Sequence, residues 1–154
     1  MRKKWLFIGL LLIIAIPILL FFFRKDNILT REEAIALCLE DNAKFYTWND
    51  LEIHYTEEGK GAETILMVHG FGGSHKNFTS LSEILKENYR VIAIDLPAFG
   101  LSEVPSSDIA DDQILGLYQS FMSDALTNLN VGNYHLIGNS LGGWMSWDLA
   151  TRQD

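Results

Sequence analysis

The run Tyr134-His135-Leu136-Ile137-Gly138-Asn139-Ser140-Leu141-Gly142-Gly143 constrains this chain more than any other stretch. A short apolar run ends in Gly-x-Ser-x-Gly and passes at once into a helix-like segment, Trp144 to Thr151. Strand, tight turn with a central serine, then helix is the nucleophile-elbow pattern. Residues two before and two after the serine crowd the strand and the helix, so Gly138 and Gly142 stand where a Cβ would not fit. This geometry pushes the Ser140 hydroxyl out of the sheet. It also sets the Leu141 N–H at the start of a helix, where it can face an oxyanion. A lone Gly-x-Ser-x-Gly can equally be a glycine-rich turn; the context on both sides favours the elbow.

The segments upstream supply a sheet for that elbow. Thr64-Ile65-Leu66-Met67-Val68 is a continuous apolar strand of the kind buried on both faces, and it ends in His69-Gly70-Phe71-Gly72-Gly73-Ser74. Arg90 to Ile94 is a second such strand, ending in Asp95-Leu96-Pro97-Ala98-Phe99-Gly100-Leu101-Ser102. Phe45–Trp48 and Leu51–Tyr55 read as strands joined by a turn at Asn49-Asp50. One helix is expected over Ser80–Asn88, capped by Ser80 and Glu83 with Leu81, Ile84 and Leu85 facing inward. A longer one is expected from about Asp112 to Leu129, with Ile114, Leu117, Tyr118, Phe121, Ala125 and Leu129 on the helical period. Strands separated by helices imply an α/β class and a mostly parallel sheet with right-handed crossovers.

The N-terminus is of another kind. Met1-Arg2-Lys3-Lys4 precedes Trp5 to Phe23, which holds no charged residue, and Arg24-Lys25 follows. Nineteen apolar residues in a helix span about 28 Å, close to the hydrocarbon thickness of a bilayer. No small-x-small cleavage site follows, so one uncleaved transmembrane helix is expected, a buried core helix being the alternative. The basic start favours a cytoplasmic N-terminus and an extracytoplasmic remainder. After a linker, Thr30-Arg31-Glu32-Glu33 reads as a capping box, opening an amphipathic helix to about Asn42 with Ala34, Leu37, Cys38 and Asp41 along one side. The expected organisation is thus 1–25 anchor, 26–44 linker and helix, and 45–154 the N-terminal part of a catalytic domain. Cys38, the sole cysteine, excludes an intrachain disulfide and a thiolate metal cluster and is expected as a small buried residue. A net charge of -8 argues against a nucleic-acid partner.

Ligands of an open parallel sheet gather at the carboxyl ends of its strands. His69–Gly73, Asp95–Ser102 and Gly138–Gly142 converge there. Glycines after His69, Gly70 first, let backbone approach a substrate, so the Phe71 N–H is expected as a second oxyanion donor beside Leu141. A flexible hairpin is the plainer reading of that loop. The three segments, in this order and spacing, resemble the α/β-hydrolase superfamily, over about Phe45 to Thr151. The branch most similar holds bacterial lipases, esterases and carbon–carbon bond hydrolases of aromatic degradation. Ala98 departs from the resemblance, which has glycine there. A serine at 140 points away from the dehalogenase and epoxide-hydrolase relatives, which use aspartate.

The resemblance implies a triad in the order serine, acid, histidine. After Ser140 the chain has Asp148 and Asp154 but no histidine. Upstream, His135 lies five residues before Ser140, roughly 16 Å away along an extended strand. His54 lies in a strand, His69 braces the oxyanion loop, and His75 is the remaining candidate base. The chain is therefore expected to be truncated after the elbow, with acid and base elsewhere. The implied activity is that of a membrane-anchored serine hydrolase, esterase- or lipase-like, with Ser140 as nucleophile and a small-molecule ester or lipid as substrate. No metal and no cofactor are expected. The alternatives are a catalytically inactive, membrane-bound binding module and a carbon–carbon bond hydrolase of the same fold.

Overall fold

The computed structural model describes residues 29–105, 110 and 113–152, together with Ile16. The chain divides into two units, 1–30 and 31–154. The expected transmembrane run 5–23 lies, but for Ile16, outside the described residues. Among those that are described, no helix is long and apolar enough to cross a membrane.

In the second unit, β1 (Ala43–Trp48) and β2 (Leu51–Glu58) form a hairpin. Asn49 and Asp50 turn it with φ of 46° and 64°, a tight turn that these two residue types tolerate. β3 (Thr64–Val68), β4 (Arg90–Ile94) and β5 (Tyr134–Gly138) complete one sheet in the order β1-β2-β4-β3-β5. β3 pairs parallel with both β4 and β5, while β2 runs antiparallel to both β1 and β4. The sheet is therefore mixed. A two-residue turn can only return the chain antiparallel, and β2 then carries that direction to β4.

Period-two alternation divides the core between two faces. Leu66, Val68, Ile92 and Ile94 join Ile53 and Trp48 on one side, against Tyr118, Phe121, Met122 and Ala125 of α3 (Ile114–Asn128) and Met145 and Leu149 of α4 (Leu141–Thr151). Ile65, Met67, Val91 and Ala93 face the other way, onto Phe78 and Leu85. All of β3 is buried, as its unbroken apolar sequence requires.

The helices differ more from expectation. α1 spans only Arg31–Cys38, buries no residue, and leaves Leu37 71% exposed and Cys38 exposed rather than packed. What holds it is polar. Arg31 donates from Nε to the Leu101 carbonyl at 2.9 Å, pairs with Glu52 at 3.2 Å and lies 5.6 Å from the Phe45 ring centroid. α2 is Thr79–Leu85, preceded by a 3-10 turn over His75–Phe78. The working cap is Ser74 with Asn77, not Ser80 with Glu83. The face that meets the sheet also differs: Ser82 is buried and Leu85 packs inward, while Leu81 and Ile84 point out. In α3, Met122 and Leu126 join the inward set and Ile114 is 38% exposed, because the first turn precedes the buried stretch, which begins at Tyr118 and runs to Leu129.

Candidate functional site

β5 hands the chain to α4 through Asn139 and Ser140. Asn139 N–H donates to the Val68 carbonyl at 3.0 Å, which fixes the turn to the end of β3. Ser140 occupies φ 50°, ψ -113°, a sparsely populated backbone region for a residue with a Cβ. A Cβ added at Gly138 would lie 2.3 Å from the Gly142 carbonyl oxygen, and one at Gly142 would lie 2.1 Å from that of Val68. Neither space admits a side chain, which is why both positions are glycine. Ser140 itself is exposed at the first step of α4, and helix N–H groups of that first turn have no intrahelical acceptor.

The second loop lies directly against the serine. A Cβ on Gly70 would stand 3.1 Å from Ser140 Cβ and 3.0 Å from Asn139 Oδ1. The Gly73 N–H closes a turn on the Gly70 carbonyl at 3.0 Å, with Gly72 at φ 70°. That turn uses the Gly73 donor and leaves the Phe71 N–H outside its closing bond. The Phe71 ring is 82% exposed and meets Phe99 edge-on at 5.3 Å, so an aromatic pair borders the serine's loop.

His69 supports this loop as a neutral ring. Its Nε2 accepts the Leu96 N–H at 3.0 Å, so Nδ1 carries the proton and donates to the Gly70 carbonyl at 2.7 Å. Burial holds the imidazole pKa below its ordinary value. The other histidines are occupied elsewhere. His135 is exposed at the start of β5, 3.3 Å from Glu63. His54 Nδ1 lies 2.8 Å from Asp95 Oδ2, and His75 Nδ1 lies 3.0 Å from Asp95 Oδ1. Among the described residues, no histidine hydrogen-bonds Ser140, and His75 is directed to Asp95 and Glu40 instead.

Asp95, at the end of β4, is a hub that sequence reasoning did not single out. Besides the two imidazoles it accepts the N–H groups of His75 at 2.6 Å and Leu101 at 3.0 Å. Burial pushes its carboxyl up, but the hydrogen bonds from His54 and His75 outweigh that and hold it well below the usual carboxylate range. His54, His75 and Asp95 are also the described residues whose donors lie close enough to share a metal ion. The available signal was positional: an acidic residue at the carboxyl end of a buried strand.

The family model for the alpha/beta hydrolase fold matches residues 63–153. Over 114 residues the chain is 33% identical to the dihydrolipoyllysine-residue acetyltransferase component of the acetoin cleaving system of Cupriavidus necator, which covers 72% of this chain and 29% of that protein. Over 101 residues it is 32% identical to a 2-hydroxy-6-oxononadienedioate/2-hydroxy-6-oxononatrienedioate hydrolase of Escherichia coli, covering 62% of this chain and 34% of that protein. An epoxide hydrolase from Bacillus megaterium shares the fold with a TM-score of 0.64 at 22% identity, over 71% of this chain and 37% of that one. The chain thus spans about a third of the length of the curated relatives it matches.

Proposed function

The chain belongs to the α/β-hydrolase fold family, and on that premise we propose that it supplies the nucleophile and oxyanion donors of a membrane-anchored serine hydrolase acting on carboxylic esters. One observation carries the reading: Ser140 sits at φ 50° on the β5–α4 junction with the Gly70 backbone against its Cβ. In this mechanism Ser140 Oγ attacks the ester carbonyl carbon. The carbonyl oxygen becomes an oxyanion that accepts from the Phe71 and Leu141 N–H groups. The C–O bond then breaks, the alcohol leaves with a proton, and water hydrolyses the acyl-enzyme. Loss of one oxyanion donor in a comparable serine hydrolase costs about 3–4 kcal/mol in the transition state. All four histidines are engaged away from Ser140, so the proton acceptor is another residue. The apolar run 5–23 supports anchoring in a membrane, with the hydrolase part on its extracytoplasmic side, and the exposed Phe71 ring, backed by the partly buried Phe99, suits an apolar ester or lipid.

Fluorophosphonate labelling of membranes from the native source tests this reading. The expected result is a labelled band that disappears when Ser140 is replaced by alanine. A chain detectable by antibody that takes no label would overturn hydrolysis in favour of an inactive binding module. The name of the Escherichia coli relative favours a second reading, hydrolysis of a carbon–carbon bond in a hydroxy-oxo-dienoate acid. Ser140-dependent turnover of such an acid, with none of simple esters, would select it.

A further inference from the structure

The Asp95 carboxylate is met from two sides by imidazole rings: His54 Nδ1 at 2.8 Å from Oδ2, and His75 Nδ1 at 3.0 and 3.2 Å from Oδ1 and Oδ2. All three side chains are buried, His54 and Asp95 at 0% exposure and His75 at 5%. The ring centroids are 4.7 Å apart at an interplanar angle of 64°. None of the three has a part in the ester chemistry above. Hydrogen bonding accounts for Asp95 in full, but it leaves the rings half accounted for. Nε2 of each histidine is buried without a hydrogen-bond partner, and such atoms are rare in folded proteins.

We propose that His54, His75 and Asp95 form a binding site for one divalent transition-metal ion, zinc by preference, with a structural role. Two imidazoles and a carboxylate are a donor set that zinc accepts, and imidazole disfavours magnesium and calcium. Metal bonds of about 2.0–2.1 Å at angles near 90–110° hold neighbouring ligand atoms about 3.0–3.4 Å apart. The nitrogen–oxygen separations around Asp95 already lie in or just below that range, and all three donors lie within 4.8 Å of one another. On binding, the ion takes the Nδ1 lone pair of each ring, and the one proton of a neutral imidazole moves to Nε2. That shift gives the orphaned His75 atom a use. It faces a Glu40 carboxylate oxygen at 3.6 Å, the carboxylate–histidine–metal arrangement that orients ligating imidazoles. His75 also lines a cavity of about 270 Å³ with Glu40, Thr56 and Ser82, which brings solvent space up to one of the three ligands. The ligands come from β2, the end of β4 and the segment just after Gly73, so the ion ties the turn that holds Phe71 to the sheet.

The test uses the full chain in detergent, stripped with a chelator and titrated with zinc against a chromophoric competitor. Uptake of one zinc per chain, with a rise in the melting temperature, is expected. His75→Gln keeps a donor for Asp95 but lacks an imidazole; it should lose at least about tenfold in zinc affinity, while Cys38→Ser and His135→Gln should not. Absence of stoichiometric uptake by the natural chain overturns the site, as does uptake unchanged in His75→Gln. Should His75→Gln fail to fold, cobalt(II) added to the natural chain decides. Intense visible bands of a four- or five-coordinate ion without a sulfur charge-transfer band support the site, and the weak spectrum of the hydrated ion overturns it. Neither readout involves turnover, so the outcome is independent of the reading of Ser140.

Discussion

Ala98 shows how a single backbone angle constrains residue choice. Its φ is 72°, in the left-handed region, where a Cβ costs roughly 1–2 kcal/mol. Its N–H is held by the Glu103 carbonyl at 2.9 Å, so the loop cannot relax out of that conformation. The superfamily resemblance has glycine here, and the angle supplies the reason. Ala98→Gly should therefore stabilise the fold by about 0.5–1 kcal/mol, after subtracting the extra freedom glycine gains when unfolded. A rise in the urea midpoint at constant slope checks this; a fall would mean that the unfolded-state entropy dominates. Ser140 also has a positive φ, 50°, but keeps its side chain, since its hydroxyl is what the elbow presents. Its surroundings were legible in the sequence because the whole elbow is contiguous, from Gly138 to Gly142. The His54–Asp95–His75 cluster was not. The two histidines are 41 and 20 positions from Asp95, and it takes β4 pairing with β2 on one side and with β3 on the other to bring them together.

At the level of elements, strands were easier to read than helix faces. β3 begins and ends where its apolar run does, because a strand buried on both faces has no polar position to blur its limits. The faces of α1 and α2 were misread because composition does not reveal which side meets the sheet. Ser74 begins the α2 turn earlier than Ser80 would, and the Arg31 side chain, not the apolar stripe Leu37–Cys38, docks α1. α3 is the element whose inward face matters most for stability. Phe121 is fully buried and meets the Trp48 ring edge-on at 5.1 Å, while the Trp48 indole donates to Asp124 on the same helix at 2.9 Å. Phe121→Ala should cost about 3–5 kcal/mol, the range for a large aromatic lost from a core that cannot collapse. Chemical denaturation measures it. A cost under about 1 kcal/mol would mean that α3 repacks around the space.

Across the whole molecule, one ion-pair network links the same parts that the hydrophobic core joins. Glu57 on β2 accepts from Lys44 Nζ on β1 at 2.6 Å and from Arg90 Nε on β4 at 2.6 Å. The same Arg90 guanidinium donates to the carbonyls of Leu129 at 2.9 Å and Asn130 at 3.1 Å, where α3 ends. Hairpin, central sheet and long helix thus meet at two side chains, both mostly shielded from water, at 18% and 24% exposure. Burial alone would raise the Glu57 pKa, but the hydrogen bonds from Lys44 and Arg90 prevail and lower it. The folded chain then binds fewer protons at this site than the unfolded chain does near pH 4. Its contribution is present above the unfolded carboxyl value of about 4.3 and is lost as pH falls through the lowered folded value. Glu57→Gln removes the charge and should destabilise the chain by about 1 kcal/mol at neutral pH. The gap to the natural chain should close as pH drops below about 4, since protonated Glu57 and glutamine are then alike in charge. Urea midpoints of both chains across that range decide the matter. A gap that stays constant with pH would assign the loss to packing, and the network would then be an accompaniment of the fold instead of one of its ties.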